Sequence, residues 1–207
     1  MKLINKLLVG ICLLAGVSTA SLAQHSVTVD VSQNITNFSF TNSAGEAIKD
    51  YNPAYSGSYA LGYRYSMENG LFFPAKLGMR KAGASYIYDT SNYIWDLRYA
   101  DARLGVGYNY SFGEFAVHAS VSGYYAFLLK ANQVINNEHY DIKEAGQISN
   151  NDFGVFISPG VNYSVSEHIS LFLDLNYMMG LQNLETSGEQ ESANKLFGAS
   201  VGVAFTL

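Results

Sequence analysis

The sequence predicts an all-β chain, an eight-stranded antiparallel up-and-down transmembrane β-barrel over residues 24–207. Three observations predict it. Hydrophobicity alternates with a period of two along most of the chain, as on strands whose two faces meet different surroundings. One face carries bulky apolar side chains on strand after strand, while the other is small or charged. The connections alternate between tight turns and long polar segments, the pattern of barrels that cross a membrane.

Residues 1–23 stand apart. Lys2 and Lys6 precede the short apolar run "LLVGICLLAGV", and Ser21-Leu22-Ala23 supplies a small-residue cleavage site. This is the layout of a secretory signal peptide. Cys12, the one cysteine, lies inside it behind Ile11, where a lipid-modified cysteine would usually follow a small residue. The exported chain then has no thiol for a disulfide, a metal site or a nucleophile. The whole sequence has a formal net charge of −5, and losing Lys2 and Lys6 makes it more negative. Nucleic acid is excluded as a partner on that ground. Sixteen Tyr and nineteen Gly against three Pro suit strands and close sheet contacts.

The first strand, "VTVDVSQNITNFSFT" (27–41), loses its parity between Val31 and Phe38, which predicts a bulge. The second, 57–67, sets Tyr59, Leu61, Tyr63 and Tyr65 on one face and Ser58, Ala60, Gly62 and Arg64 on the other. The third and fourth, 71–89 and 93–112, are the longest, and a second parity slip is expected near Tyr99 and Ala100. The fifth covers 114–130, the sixth 152–164 and the seventh 169–181. The last, "LFGASVGVAFTL" (196–207), alternates apolar with small residues to its end. Tight turns are expected at "ENG", "FGE" and "VSE". The segments 43–56, 132–150 and 182–194 are long, and the first two leave room for further strands, so a count of ten stays open.

Side-chain size decides which face is inside. A soluble lipocalin-like barrel would turn its apolar face inward. The apolar set here includes Leu61, Leu77, Phe115, Val121, Phe127, Ile157, Leu173 and Tyr177, more than a narrow eight-stranded interior can hold. The other set mixes glycines and small polar residues with Asp152 and both signs of charge. The apolar face should therefore meet lipid. Tyrosines 55, 59, 86, 88, 93, 108, 110, 124, 125, 163 and 177 recur near strand ends, and those at the lipid–water level are expected to form aromatic girdles. The predicted lumen charge network is Arg64, Lys76, Arg80, Asp96, Arg98, Asp101, Arg103, Glu114, His118 and Asp174. These groups either pair and fill the interior or line a small conduction path.

Val203, Phe205 and Leu207 close the chain in an arrangement that resembles the C-terminal assembly signal of Gram-negative outer-membrane barrels, where a terminal Phe is commoner. Together with "YADARLGVGYNY" (99–110), the hairpin at 152–185 and the aromatic-x-x-Gly-Leu-x-Asn strand end within "NYMMGLQNL", this resembles the PorT-like small outer-membrane β-barrel proteins of Bacteroidota. The resemblance implies residence in the bacterial outer membrane among lipid and lipopolysaccharide. It also implies delivery by a barrel-assembly machinery. The long segments 43–56, 132–150 and 182–194 are themselves where an envelope or extracellular partner is expected.

His118-Ala119-Ser120 resembles the His-x-Ser pair of outer-membrane lipid A deacylases. In those enzymes the pair faces lipid with a glutamate beside it; here its parity faces the lumen, and no acid follows before Glu138. The four histidines have no metal-ligand spacing, and no nucleotide-binding pattern appears. The sequence therefore calls for no enzyme, no cofactor and no metal. It expects a structural or interaction protein, with a small pore or solute transporter as the competing reading. A lipid-acting hydrolase and a secreted binder stand further off.

Overall fold

The computed structural model describes residues 24–41, 47–48, 52–88, 91–186 and 191–207. The expected signal peptide and the parts of the long connections at 42–46, 49–51 and 187–190 lie outside these. The strands are β1 (Gln24–Thr41), β2 (Ala47–Ile48), β3 (Asn52–Ser66), β4 (Leu71–Tyr88), β5 (Ser91–Phe112), β6 (Phe115–Ile135), β7 (Glu138–Asp141), β8 (Asn151–Ser164), β9 (Ile169–Gly180) and β10 (Glu191–Thr206).

Eight of them form a closed antiparallel ring in the order β1-β3-β4-β5-β6-β8-β9-β10, and β10 returns to β1. That seam runs in unbroken register from Ser26↔Thr206 to Thr41↔Glu191. Closure leaves no sheet edge, which is what a strand-built protein needs in hydrocarbon. The two short strands sit off the ring. β2 pairs with the end of β1, and β7 pairs with the end of β6 through a two-residue turn at Asn136 and Asn137, both at positive φ. The long connections thus hold extra strands without widening the barrel.

Gly70 and Gly113, at φ +89 and +67, make the tight β3–β4 and β5–β6 turns. β9 shows how faces follow from the sequence. Leu171, Leu173, Leu175, Tyr177 and Met179 are exposed, while Phe172, Asp174 and Met178 between them are buried. The same sorting leaves Leu61, Leu77, Val121, Phe127 and Phe197 on the outer surface.

Three expectations are corrected. β1 has no bulge: its pairings with β3 and β10 are continuous, and Phe38 and Phe40 share the inward face with Thr28, Asp30 and Asn34. The apolar residues change face there because the outer end of the interior is itself apolar. The irregularity near Tyr99 does exist, between Arg98 and Tyr99 in the β5–β6 pairing. The extra residue belongs to β6, however: Arg98 faces Lys130, Tyr99 faces Leu128, and Leu129 bulges outward. β5 therefore keeps one parity throughout. Tyr124 is no girdle residue; it points inward and is buried.

The interior has two storeys. The half near the tight turns is polar and charged. The half near the long connections is apolar, built from Phe38, Phe40, Ala84, Leu97, Leu128 and Ala131, with Ile142 and Leu184 packed in from the connections.

Candidate functional site

The inward face of β4 supplies two of the lumen's cations, Lys76 and Arg80. Lys76 donates from Nζ to Asp30 Oδ2 at 2.8 Å and lies 5.4 Å from the Phe172 ring centre. From β3, Arg64 sits over Phe72 at 4.8 Å. His118 is buried with its Nε2 2.9 Å from Asp174 Oδ1, and it meets the Phe72 ring edge-on. A ladder of short polar contacts runs alongside: Ser158 Oγ donates to Asn176 Oδ1 at 2.8 Å, and Asn176 Nδ2 donates to Ser200 Oγ at 3.0 Å.

One layer outward, Arg80 is wholly buried. Its Nη2 donates to Asp152 Oδ2 at 2.6 Å, and its Nε lies 3.6 Å from Asp101 Oδ2. Arg103 holds Asp101 from the other side, with Nε donating to Oδ1 at 2.6 Å and Nη2 donating to Oδ2 at 3.2 Å. Asp152 also accepts from Tyr124 Oη at 3.0 Å and from Asn194 Nδ2 at 2.8 Å. The Arg80 guanidinium lies 4.5 Å from the ring centre of Tyr99, and that of Arg103 lies 4.0 Å from Phe156. Two cations and two carboxylates balance within this knot, so burial is not opposed by a net charge. The space left beside it, lined by Lys76, Arg103, His118 and Asp174, is about 30 Å³. That holds a water or two.

Of the residues expected in the lumen, Arg64, Lys76, Arg80, Asp101, Arg103, His118 and Asp174 point inward. Asp96 and Arg98 do not. They pair loosely at 3.9 Å on the outer surface, their side chains 41% and 48% exposed, because β5 never changes parity. Glu114 lies in the exposed turn beyond the barrel rim, since the β5–β6 hairpin closes there. The expected charge network lacked Asp152, although its face was read as inward, and Asp30, which inward parity alone would have marked. It also lacked Tyr99, Tyr124 and Asn194, whose residue types carry no such signal. His118 and Ser120 both face the lumen, so neither presents itself to lipid. At the seam, Phe205 and Leu207 are exposed, and the Leu207 N–H donates to the carbonyl of His25 at 2.8 Å.

Above the apolar storey the mouth opens into a cleft of about 190 Å³ lined by Phe38, Phe40, Trp95, Gln133, Ile142, Gln147, Ile148, Leu184, Glu185 and Ser192. Half-burial raises the Glu185 carboxyl above the ordinary carboxylate range. On the nearby β7 hairpin the Tyr140 hydroxyl donates to Glu138 at 2.6 Å, and that neighbouring carboxylate pushes its pKa up.

Residues 9–205 match the family described as outer membrane protein beta-barrel domain. No curated protein sequence matches the chain. Among solved structures, Neisserial surface protein A is 14% identical, with 88% of this chain and 97% of that one covered at a TM-score of 0.58. A major outer membrane protein from Thermus thermophilus is 13% identical, with 88% and 99% covered at a TM-score of 0.51. At such identities each likeness speaks for the fold alone.

Proposed function

We propose that this chain, which belongs to the outer membrane protein beta-barrel domain family and resides in the bacterial outer membrane, is a closed, non-conducting barrel that works through its outer surfaces. The single observation behind this is the cross-lumen knot of Arg80, Asp152, Asp101 and Arg103, packed between Tyr99, Tyr124 and Phe156. A pore would keep such charges wet and apart. Here they are paired, and an apolar storey lies above them. The role is structural or interactive, not enzymatic: the His118-x-Ser120 pair is turned away from lipid, and Asp174 engages His118 in its place.

The working end is the external one, where residues of the connections at 132–150 and 182–194 line the cleft beside Trp95. Its mixed lining, with two phenylalanines and a tryptophan beside Gln133, Gln147 and Glu185, suits a partner that offers an apolar or ring face and a few polar groups.

Within the family we place the chain with the PorT-like group. The strand end from Tyr177 to Asn183 supports this, because its glycine and its asparagine each have a physical task here. At Gly180 a Cβ would come within 3.0 Å of the Asn194 backbone nitrogen and 3.3 Å of Asp152 Oδ1. Asn183 Oδ1 accepts the N–H groups of Glu185 at 3.1 Å and Ser192 at 2.9 Å, which fastens β10 to the end of β9. The secretion role for which some members are named does not follow from a shared fold.

The test is conductance in a planar bilayer. The purified protein, its fold confirmed by a heat-sensitive shift in gel mobility, should give no steady channel. A stable single-channel current in the wild-type protein would overturn the closed-barrel reading in favour of a pore.

A further inference from the structure

The outer face of β4, β5 and β6 carries a row of cations set side by side by strand register. Lys81 lies opposite Arg98, and Arg98 lies opposite Lys130. All three are exposed. The bulge at Leu129 creates the row: even-numbered residues of β6 point inward up to Leu128, and the extra residue turns Lys130 outward into line with Arg98. Lys143 adds a fourth cation at the same place, its Nζ donating to the carbonyl of Leu129 at 3.2 Å.

Like charges on directly opposed strand positions repel one another. Among the described residues the one ion pair made by this row is that of Arg98 with Asp96, at 3.9 Å. Among the described residues neither Lys81 nor Lys130 has a carboxylate within ion-pair distance. Such a row is stable where an anion from outside the chain neutralises it.

Its height identifies that anion. On β4 the outward residues Phe73, Leu77 and Met79 lead up to Lys81. Eight residues of tilted strand rise about 20 Å, close to the full apolar band of such barrels. The row therefore stands at the lipid–water boundary on the side of the long connections, the external leaflet. The next outward residues on β5 and β6 are polar, Asp96 and Asn132, which face each other.

We infer that this row binds a phosphorylated saccharolipid of the outer leaflet, of the lipopolysaccharide class. Lys81, Arg98 and Lys130 take its phosphates, with Arg98 able to hold one bidentately. Its acyl chains lie on Leu77, Leu104 and Phe127, and its sugar stands against the polar residues above. The inference rests on the chain crossing the outer membrane with its long connections outside, and it is independent of whether the lumen conducts.

The experiment places the full-length protein in phosphatidylcholine nanodiscs. It measures bound lipid by native mass spectrometry as diphosphoryl lipid A, dephosphorylated lipid A or phosphatidylglycerol is titrated in. Diphosphoryl lipid A should bind at least ten-fold more tightly than either of the others. Combining Lys81→Gln, Arg98→Gln and Lys130→Gln should remove that preference. Lys195→Gln on β10, diametrically across the ring, should leave it intact. Arg98→Gln alone, with an intact gel shift, serves if the triple variant does not fold. Equal binding of dephosphorylated lipid A, equal binding of phosphatidylglycerol, or an undiminished preference in a folded row variant would each overturn the site. None of these outcomes bears on the conductance result.

Discussion

Arg80 on β4 donates from Nη2 to Oδ2 of Asp152 on β8 at 2.6 Å, and neither side chain meets solvent. β4 and β8 are three places apart in the ring, so this contact crosses the lumen. It is a strut between opposite walls, and Tyr124 and Asn194 brace its acidic end.

Breaking the strut from one side should be costly. Arg80→Met leaves Asp152 buried with hydrogen-bond donors but no opposing cation, a loss of about 3–5 kcal/mol. Urea unfolding of the reconstituted protein measures it. Adding Asp152→Leu should recover most of the loss, because a well-packed apolar pair avoids the desolvation of two charges. A double variant no more stable than Arg80→Met would show that the pair does more than neutralise itself.

Glycine identity should matter inside the barrel and not outside it. A Cβ on Gly202 would lie 2.5 Å from the backbone oxygen of Val29 and 2.8 Å from Asp30 Cβ, on the strand that closes the ring. Gly123 faces outward with nothing within 4 Å. Gly202→Ala should thus cost about 1–3 kcal/mol as overpacking and reduce the heat-shifted band. Gly123→Ala should leave both unchanged.

The external cleft should respond to pH through Glu185. Burial raises its folded-state pKa above the unfolded value. The stability it contributes is therefore fully present below the ordinary carboxylate range and is lost as pH rises through the raised pKa. Trp95, the one tryptophan of the sequence, lines the same cleft. Its fluorescence should report a tighter cleft at acid pH and a looser one above the transition. Glu185→Gln should flatten that profile, and an unchanged profile would assign the transition to another group.

The closing strand should govern assembly more than final stability. Phe205 and Leu207 face outward at the rim and are fastened chiefly by backbone bonds, including Leu207 N–H to the His25 carbonyl. Phe205→Ser should slow the appearance of the heat-shifted form in cells while leaving the urea midpoint of protein already folded within about 1 kcal/mol, the cost of a rim-level polar residue. Equal assembly rates would show that this strand end carries no signal.

Much of the architecture was legible in the sequence because strand periodicity and side-chain size are local properties. Leu171, Leu173, Leu175 and Tyr177 alternate with Phe172, Asp174 and Asn176 whatever else the chain does, and the narrowness of eight strands sends the bulky set outward. The lipid face, the strand count in the ring, the tight-turn end and the inward aim of Arg64, Lys76, Arg80, Asp101, Arg103, His118 and Asp174 follow from such arguments. The tertiary structure decided the rest. Unbroken alternation on β5 sets Asp96 and Arg98 outside once Asp101 and Arg103 face in, but only the pairing with β6 shows that the irregularity near Tyr99 belongs to β6, at Leu129, and leaves that alternation unbroken. Phe38 and Phe40 read as a parity slip until Ile142 and Leu184 arrive from distant connections to cover an apolar storey. Arg80 and Asp152 are 72 residues apart, and nothing local to either names the other. Pairing across a lumen is a property of ring closure and register, and both are settled only when every strand has found its neighbours.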